Sequence, residues 1–406
     1  MDNLTHSLFG LAAGELVQRS LAPEDDPARQ RTRSTLLRLA GFAASNFPDL
    51  DLFATRLLPA PLGYLLHHRG HTHTLLFALL QALLLGALIW LLWPAARVLL
   101  RESRPARVGL ALCCVGGVLL HIGFDFLNSY GVHPFYPFDA RWVYGDLVFI
   151  LEPVFWIAFG IPLAMTLQTR VLRWLLLALP PLTAVLAFKG YLLWSAAAAL
   201  IVLAALLARL GRAAGAHGRV ALTAGMGAAA LFVALQAGSA AAARASLQGL
   251  PKAGVLLDAA LTAYPANPLC WSFATVQRDE AEGRITIRRG VLSTVPGVLP
   301  VQACPAALGE PGDGNAAMTL TWEQAGSLAQ LRVLARSDCR FAAWMRFARI
   351  PVLTHKAASD ARYEAGPGGP RNFSTLDLKP AGACPTPVPG WGMPREDLLQ
   401  APTATP

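Results

Sequence analysis

Six long apolar segments exclude a soluble fold for the first 241 residues of this chain. Each is long enough, or nearly long enough, to cross a hydrocarbon layer of roughly 30 Å. They occupy residues 75–93, 108–127, 147–167, 171–188, 191–208 and 219–241. Only 15% of the residues are charged, against about 25% in soluble domains. Because backbone groups in lipid must hydrogen-bond internally, we predict that these segments are helices.

Two shorter apolar segments, about 4–18 and 36–47, precede the six long ones and predict short helices. The predicted fold is therefore an all-α polytopic membrane domain over 1–243, with about six full spans and two short N-terminal helices. Stretches such as "RITIRRGVLS" and "AMTLTWEQ" alternate apolar and polar residues, which predicts a small β-rich extramembrane domain over 244–379. Residues 380–406 are rich in Pro, Ala and Thr, a composition typical of a disordered tail.

Arginines fall on alternate connections between the apolar segments. Those on one side are Arg19, Arg29, Arg31, Arg33, Arg38, Arg97, Arg101, Arg104, Arg107, Arg170, Arg173, Arg209, Arg212 and Arg219, whereas the other side carries only Arg56, Arg69, Arg141 and Lys189. The positive-inside rule puts the first set in the cytoplasm of a bacterial inner membrane. The region after residue 241 then faces the periplasm. Because this pattern explains the net charge of +9, we expect membrane lipid and no nucleic acid as partner.

The cysteines agree with this orientation. Cys113 and Cys114 lie within a predicted span, and the other four lie in the C-terminal region: Cys270, Cys304, Cys339 and Cys384. An even number in an oxidising compartment favours two disulfides. Three pairings are open, and free buried thiols are the alternative.

Residues typical of metal ligands occur in four short motifs of the first half. These are "THSLFG" with His6, "NFPDLD" with Asp49 and Asp51, "HHRGHTH" with His67, His68, His71 and His73, and "HIGFDFLNSYGVHPF" with His121, Asp125 and His133; Asp146 and Glu152 follow. The predicted topology gathers all of them at the outer membrane face. Because unrelated helix caps would not sort in this way, we interpret the motifs as one metal centre.

Each motif also has an ordinary structural interpretation. His121 and Asp125 are four residues apart and share one helix face, which suits two ligands on one cation but also a buried ion pair. The Pro48-Asp49 step is common in turns. The "HHRGHTH" segment can form a polar cap on a helix that lies beside the membrane. Ionisable side chains within spans are functional candidates by default, and the common location of the motifs favours a metal site.

The predicted ligands combine imidazole and carboxylate groups. We select His6, Asp49, His68, His71, His73, His121, Asp125, His133 and Glu152 as candidate metal ligands. This donor set suits zinc, with manganese or iron as alternatives, and it is large enough for two or more ions. Clustered metals suit phosphoester hydrolysis. Asp49 or Asp51 is the candidate general base for the attacking water, and Arg69 is placed either to pair with a phosphate or to act as an interfacial anchor.

Four motifs in order carry a family resemblance. "MDNLTHSLFGLAAG", "FPDLD", "HHRGHTHT" and "HIGFDFLNSYG" resemble the bacterial inner-membrane metal-dependent hydrolases, also described as LexA-binding hydrolases, over roughly residues 1–165. The motif order is also similar to that of zinc-dependent phospholipase C. That second resemblance implies the ligands His6, Asp49, His121, Asp125 and His133.

The chain departs from the phospholipase C pattern in two places. The N-terminal tryptophan of that family, whose amine and carbonyl bind zinc, is absent, and the final His-x-x-x-Glu motif is missing. Asp146 and Glu152 are the nearest substitutes for that motif. These departures leave two of the three metal sites of that family as the expectation.

Together these patterns predict a membrane-embedded hydrolase that acts on a phosphoester, such as a phospholipid, at the outer face of the inner membrane. One alternative is a transporter or binding protein for a metal or small solute. Transporters place their ligand-binding residues near the bilayer midplane, whereas these residues gather at the outer membrane face. The other alternative is a non-catalytic, LexA-binding-like interaction protein, in which only the arginine-rich loops could meet a cytoplasmic partner.

Overall fold

The N-terminal part of the molecule is helical, as the apolar segments predict. The computed structural model describes residues 1–213, 219–309, 312–366, 368–378 and 383–400. The helices of this part are α1 (Asn3–Ser20), α2 (Pro27–Ala44), α3 (Leu62–His67), α4 (Leu75–Leu92), α5 (Pro94–Glu102), α6 (Arg104–Phe126), α7 (Pro153–Thr166), α8 (Arg170–Leu177), α9 (Leu179–Phe188), α10 (Trp194–Ala213) and α11 (Arg219–Leu247), with 3-10 helices at Pro48–Leu57 and His71–His73.

Among the described residues, five helical segments are long and apolar enough to cross a membrane. They are α4, α6, the consecutive pair α8 and α9, α10, and α11. The predicted span 147–167 corresponds to α7, which has only 14 residues. Phe155, Ile157 and Phe159 of α7 are all buried, and the helix packs between α1, α10 and α11. Its apolar composition therefore serves a protein core; hydropathy alone cannot separate that role from contact with lipid.

Glycines let α1, α2 and α6 approach closely. A Cβ atom on Gly10 would lie 2.4 Å from the carbonyl oxygen of Gly41, and one on Gly41 would lie 2.3 Å from that of Gly10. Similarly, a Cβ on Gly117 of α6 would lie 2.6 Å from the Cβ of Ala44. Real Cβ atoms do not tolerate such distances, so only glycine permits this packing. The close approach brings the first turn of α1 and the end of α6 to the same end of the helical bundle.

The basic connections meet at the opposite end of the bundle. Arg29 pairs with Glu102 at 2.8 Å, which joins the start of α2 to the end of α5. Glu24 receives hydrogen bonds from Arg33 at 2.8 Å and from the hydroxyl of Ser103 at 2.6 Å. The short helix α5, which sequence analysis did not predict, covers this end with a buried apolar face. Two of the arginine-rich loops predicted to share one side, 19–38 and 94–107, therefore make contact with each other.

The C-terminal part forms an antiparallel β-domain, as predicted. A five-stranded sheet has the order β1-β2-β3-β5-β4, and a three-stranded sheet has the order β6-β7-β8. The strands are β1 (Val255–Tyr264), β2 (Asn267–Asp279), β3 (Arg284–Ser293), β4 (Asp313–Gly314), β5 (Met318–Ser327), β6 (Pro351–Leu353), β7 (Ala357–Asp360) and β8 (Leu376–Asp377), accompanied by helices α12 (Leu328–Ser337), α13 (Cys339–Trp344) and α14 (Glu396–Leu399). The boundary lies after Leu247, a few residues beyond the predicted position 243.

Two disulfides confirm the prediction from the cysteine count. They join Cys270 to Cys304 and Cys339 to Cys384, which selects one of the three open pairings. Cys113 and Cys114 are free and buried in α6.

Residues 383–400, which we predicted to be disordered, are packed. The Trp391 side chain is fully buried, and its indole N–H donates to the backbone oxygen of Leu66 at 2.7 Å. Leu398 of α14 is also buried. A disulfide at Cys384 and one deeply buried tryptophan hold this segment, and a Pro-rich composition does not reveal either. Residues 380–382 and 401–406 of the predicted tail lie outside the described residues.

The β-domain rests on the end of the bundle opposite the basic loops. Arg349 pairs with Asp146 at 2.9 Å, and Arg362 donates to the backbone oxygen of Ser129 at 2.6 Å. Asp146 and Ser129 lie in the connection between α6 and α7, which follows the predicted ligands His121 and Asp125. The β-domain therefore covers the end of the bundle where the candidate ligands gather.

Candidate metal centre

Six of the predicted site residues converge at this end of the bundle. We call them the aspartate–histidine cluster: Asp49, Asp51, His68, His73, His121 and Asp125. The 3-10 helix Pro48–Leu57 turns both aspartates inward, and α6 presents its histidine and aspartate on one face, as their spacing predicted. A left-handed backbone at Arg69, with φ of 56°, bends the chain between the two other histidines.

Four members of the cluster form the first group of candidate ligands. Asp49, His73, His121 and Asp125 each offer one atom, and the four atoms lie within 4.8 Å of one another. The Nε2 atoms of the two histidines are 3.0 Å apart. His73 Nε2 lies 3.1 Å from Asp125 Oδ2, and His121 Nε2 lies 3.5 Å from Asp49 Oδ1. Two imidazole nitrogens and two carboxylate oxygens thus point at one small volume.

When the two histidine rings are neutral, the hydrogen bonds behind them leave their Nε2 atoms unprotonated and able to bind a metal. His121 Nδ1 lies 2.7 Å from the carbonyl oxygen of Ser45, which can only accept, so Nδ1 carries the proton. His73 Nδ1 lies 3.1 Å from Asp51 Oδ2, a carboxylate that favours the same tautomer. Such contacts behind the ring are typical of metal-binding histidines, because they fix its tautomer and orientation.

The convergence fits a cation. Asp125 Oδ2 is buried and lies 2.9 Å from Arg69 Nε and 3.1 Å from His73 Nε2. Two imidazole nitrogens and two carboxylate oxygens that face one another repel unless a proton or a metal cation lies among them. Burial lowers the pKa of His73, but the hydrogen bonds and charges of Asp49 and Asp51 outweigh burial and raise that pKa. A positive charge is therefore favoured at this point, and a divalent metal with mixed nitrogen and oxygen ligands meets the requirement.

A second group of candidate ligands shares one residue with the first. Asp49, Asp51 and His68 offer atoms within 4.8 Å of one another. His68 Nδ1 lies 3.1 Å from Asp51 Oδ1, and the Thr72 hydroxyl donates to Asp51 Oδ2 at 2.8 Å. Burial raises the pKa of Asp51, but hydrogen bonds from His68 and His73 dominate and hold the pKa below its usual range. Asp49 joins the two groups, which is the arrangement of a carboxylate shared between two metal sites.

Asp125 is held from the side away from the first group. The amino group of Met1 contacts Asp125 Oδ1, and His6 Nε2 lies 3.3 Å from the same oxygen. The His6 ring also stacks on the His121 ring, with centroids 3.9 Å apart. His6, a predicted ligand, therefore lies beside the cluster, in contact with Asp125 and His121 and outside both ligand groups.

Arg69 is buried and its charge is matched. Its Nε lies 2.9 Å from Asp125 Oδ2, and its Nη1 donates to Asn128 Oδ1 at 2.9 Å and to the Asp125 backbone oxygen at 3.2 Å. The guanidinium also packs over the Tyr130 ring at 4.8 Å. These contacts position Asp125, whereas we predicted that Arg69 would pair with a substrate phosphate or act as an interfacial anchor.

Three further predicted ligands, in addition to His6, lie outside both groups. His71 packs against the indole of Trp391, with centroids 4.7 Å apart. His133 lies between Trp142 and Trp391, at 3.7 and 4.1 Å, and burial lowers its pKa to about 3, so the ring is neutral.

Glu152 is the third of these residues. It caps α7, accepting from the backbone N–H groups of Val154 and Ala266. Asp146, the other substitute suggested for the missing motif, pairs with Arg349. Both carboxylates therefore have partners that belong to the β-domain contact.

Sequence analysis missed several supporting groups. Asn3 donates to Asp49 Oδ2 at 3.1 Å, and the side-chain oxygen of Asn128 accepts a hydrogen bond from Arg69. Asn3 lies three residues before His6 in α1, a spacing that places the two side chains on one helix face and could have identified it. Asn128 lies beyond the end of α6, so helical spacing gives no signal for it. The backbone oxygen of Ser45 carries no side-chain signal and could not have been found.

Comparisons with known proteins cover the part of the chain that holds the cluster. Residues 1–196 match the family model described as YdjM inner membrane protein. An uncharacterized protein, YfhP, of Bacillus subtilis (strain 168) is 28% identical over 158 residues, and this alignment spans 39% of the chain but only 44% of that relative. No solved structure matches the chain. The family match ends within α10 and includes the whole aspartate–histidine cluster, so the cluster lies in the part of the chain that is similar to the YdjM inner membrane proteins.

Proposed function

We propose that this protein is a membrane-embedded, metal-dependent hydrolase that cleaves a phosphoester, such as a phospholipid, at the outer face of the bacterial inner membrane. The observation that carries the proposal is the convergence of two ligand groups on the shared residue Asp49. Pairs of metal sites that share a carboxylate suit phosphoryl chemistry, because attacking and leaving oxygens can be stabilised together.

Zinc is the proposed metal, with manganese or iron as alternatives. Asp49, His73, His121 and Asp125 would hold one ion, and Asp49, Asp51 and His68 a second. Mixed imidazole and carboxylate ligands suit zinc, and carboxylate-rich sites also accept manganese or iron. A bound divalent metal supplies Lewis acidity, which lowers the pKa of water and offsets negative charge on phosphoryl oxygens.

The residues of the chain contribute orientation and proton transfer. Asp51 is ionised, since hydrogen bonds from two histidines hold its pKa low, and it can accept a proton from an attacking water. Thr72 and His68 fix the direction of this carboxylate. Arg69 holds Asp125 in place, and the buried surroundings of the cluster limit the access of bulk water.

Features around the cluster support a substrate that lies in the membrane. The 3-10 helix that turns Asp49 inward presents Leu50, Phe53 and Leu57 outward, all exposed and apolar. Exposed apolar side chains beside candidate spans suit a lipid boundary. The two disulfides of the β-domain and the basic loops at the opposite end support a periplasmic location for the site.

The proposal is tested with the full-length protein in lipid nanodiscs loaded with zinc or manganese. Release of phosphorylated head groups or diacylglycerol is measured over a panel of phospholipids. Wild-type protein should hydrolyse at least one of them, and Asp49→Ala and His121→Ala should not. Asp139→Asn is the matched control, because this aspartate lies at the same end of the bundle but pairs only with Arg141.

Two results would reject the proposed reaction. The first is a metal-loaded protein that cleaves no member of the panel, nor any soluble phosphoester. The second is saturable uptake of metal into proteoliposomes that requires the cluster without any hydrolysis, which would identify a transporter. Equal activity in Asp49→Ala and Asp139→Asn would show that the cluster is not the active site.

A further inference from the structure

A cavity of about 280 Å³ lies between the connection after α6 and the β-domain. Its walls combine residues of both parts, including Tyr64, Asn128, Tyr264, Arg289 and Tyr363. It adjoins the aspartate–histidine cluster, because the ring of Tyr64 lies 5.0 Å from the ring of His68. We call it the interdomain cavity.

Three polar groups of the interdomain cavity are buried without a partner. They are the Asn128 side-chain nitrogen and the hydroxyls of Tyr264 and Tyr363, none of which has a hydrogen bond within the described residues. Asn128 and Tyr264 are 4% and 1% exposed, so they do not form hydrogen bonds with bulk water. A buried polar group that lacks a partner destabilises a fold by about 1–3 kcal/mol. Several such groups in the walls of one cavity indicate that a bound ligand supplies their missing hydrogen bonds.

The interdomain cavity also carries a positive charge, that of Arg289, and the carboxylates of Glu364 and Asp360 that act on it lie beyond ion-pair distance. Arg289 of β3 donates to the backbone oxygen of Ala361 at 3.2 Å and makes no ion pair with any carboxylate in the described ranges. The other arginine in the wall, Arg362, is instead paired with Asp360 at 2.8 Å. Burial lowers the pKa of Arg289, which reflects the cost of holding this charge away from water. An anion would relieve that cost.

We infer that the interdomain cavity binds a phosphate-type oxyanion, with Arg289 as its charge partner and the Tyr264, Tyr363 and Asn128 side chains as hydrogen-bond donors. A tetrahedral oxyanion accepts several hydrogen bonds at once, and arginine suits it because its N–H groups form a planar fork. The oxyanion belongs either to a lipid head group or to free phosphate. This inference deepens the proposed function and rests on it only for the link to a substrate.

The position of Asn128 connects the two sites. Its side-chain oxygen accepts a hydrogen bond from Arg69, which holds Asp125 of the cluster. Its side-chain nitrogen has no hydrogen-bond partner among the described residues and can donate to a ligand in the cavity. An oxyanion in the cavity would therefore contact the residue that orients a candidate metal ligand. The rim is apolar, with Ile150 and Phe373 each 41% exposed, which suits the acyl or glycerol part of a lipid whose acidic group lies deeper.

The experiment measures oxyanion binding to full-length protein from which metal has been removed, so that binding at the cluster does not contribute. Inorganic phosphate is titrated in detergent, and nanodiscs of phosphatidic acid are compared with nanodiscs of phosphatidylcholine. Binding is followed by calorimetry and by the rise in unfolding temperature. We expect saturable binding of free phosphate, a preference for phosphatidic acid, or both; the first identifies a soluble anion and the second a head group.

Variants assign that binding to the cavity. Arg289→Gln should weaken it about tenfold or more, and Tyr264→Phe, which removes only a hydroxyl, about threefold, following typical strengths of charged and neutral hydrogen bonds. Arg284→Gln is the matched control, because Arg284 is exposed on the same strand and does not line the cavity. If Arg289→Gln does not fold, Arg289→Lys and Tyr264→Phe test the assignment in its place, and each should weaken oxyanion binding.

Two outcomes overturn the inference. One is that neither probe binds. The other is that Arg289→Gln or its substitutes bind as tightly as wild type, or no more weakly than Arg284→Gln. Asp49→Ala separates the two proposals, because it should keep oxyanion binding while losing metal. A protein that hydrolyses no phosphoester yet shows binding that depends on Arg289 would retain the cavity site and lose only the proposed reaction.

Discussion

Two buried clusters of aspartates lie near each other in this molecule and differ in how their charge is balanced. The aspartate–histidine cluster contains three carboxylates, Asp49, Asp51 and Asp125, and within the described part of the chain Arg69 is the one arginine that pairs with them. The arginine–aspartate network, at the contact with the β-domain, also contains three, and each has an arginine: Asp146 and Asp258 pair with Arg349, and Asp360 pairs with Arg362.

This difference separates a binding site from a structural contact. In the network, carboxylates and guanidinium groups complete each other, and Arg349 meets both of its aspartates at 2.9 Å. In the cluster, Asp125 pairs with Arg69 and the amino group of Met1, whereas Asp49 and Asp51 face histidines instead of arginines. Buried charge is tolerated when it is paired or coordinates a metal. The network is paired throughout, whereas Asp49 and Asp51 of the cluster have no arginine partner among the described residues and suit coordination of a metal.

The largest expected effect is the loss of activity on removal of Asp49. Asp49→Ala deletes the carboxylate shared by both ligand groups, so metal binding and phosphoester hydrolysis should disappear together, with a loss of rate of about 10⁴-fold. Metal content and hydrolysis are measured on the same preparation. Asp258→Asn, which changes a carboxylate of the network, should keep its metal. A variant that lost metal equally from both positions would remove the distinction between the two clusters.

The next effect concerns stability. Arg349→Met leaves the buried Asp146 and the half-buried Asp258 without their main partner, which should lower the free energy of unfolding by about 3–5 kcal/mol. Thermal unfolding in detergent measures the change, and the folded fraction should retain its metal. Arg371→Met is the control, because its pair with Asp377 is exposed and should contribute less than about 1 kcal/mol. Equal stability of the two variants would mean that the network is not a structural contact.

A smaller effect is expected for a group that only orients a ligand. Thr72→Val removes the hydroxyl that donates to Asp51 at 2.8 Å and should weaken metal binding about tenfold. Titration of metal into chelator-treated protein measures the affinity. Thr55→Val is a suitable control, since its hydroxyl donates only to the backbone oxygen of Leu52. Unchanged affinity in Thr72→Val would remove Asp51 from the set of ligands.

The smallest effect is expected at a histidine of the same motif that lies outside both groups. His71→Ala removes a ring that packs against Trp391, and it should reduce stability by about 1 kcal/mol or less without changing metal content. His73→Ala, two residues further, should abolish binding at the first group. Metal analysis of the two variants side by side tests the assignment. If His71→Ala also lost metal, the ligand set drawn from the structure would be incorrect.

Much of the fold followed from local sequence patterns. The apolar segments predicted the spans, and the alternating basic loops predicted which ends of the helices lie together, as the Arg29–Glu102 contact between two such loops illustrates. The role of α7 did not follow. Its apolar residues meet protein on all sides, and whether an apolar helix faces lipid or protein depends on helices distant in the chain.

The site was predictable where spacing alone decides. His121 and Asp125 share a helix face by their separation of four residues, and the structure places both in one ligand group. His133 and Asp146 could not be separated from the ligands, because their partners come from far along the chain. Trp391 stacks on His133, and Arg349 pairs with Asp146, although the two residues are 203 positions apart in the sequence. No local pattern contains such contacts.

The most direct test of the account is the metal content of the purified wild-type protein, measured by inductively coupled plasma mass spectrometry after gentle detergent extraction. The account predicts zinc, manganese or iron in stoichiometric amount, retained through dialysis and lost in Asp49→Ala and His121→Ala. Wild-type protein that is folded and binds no divalent metal, even when supplied with excess, would contradict it.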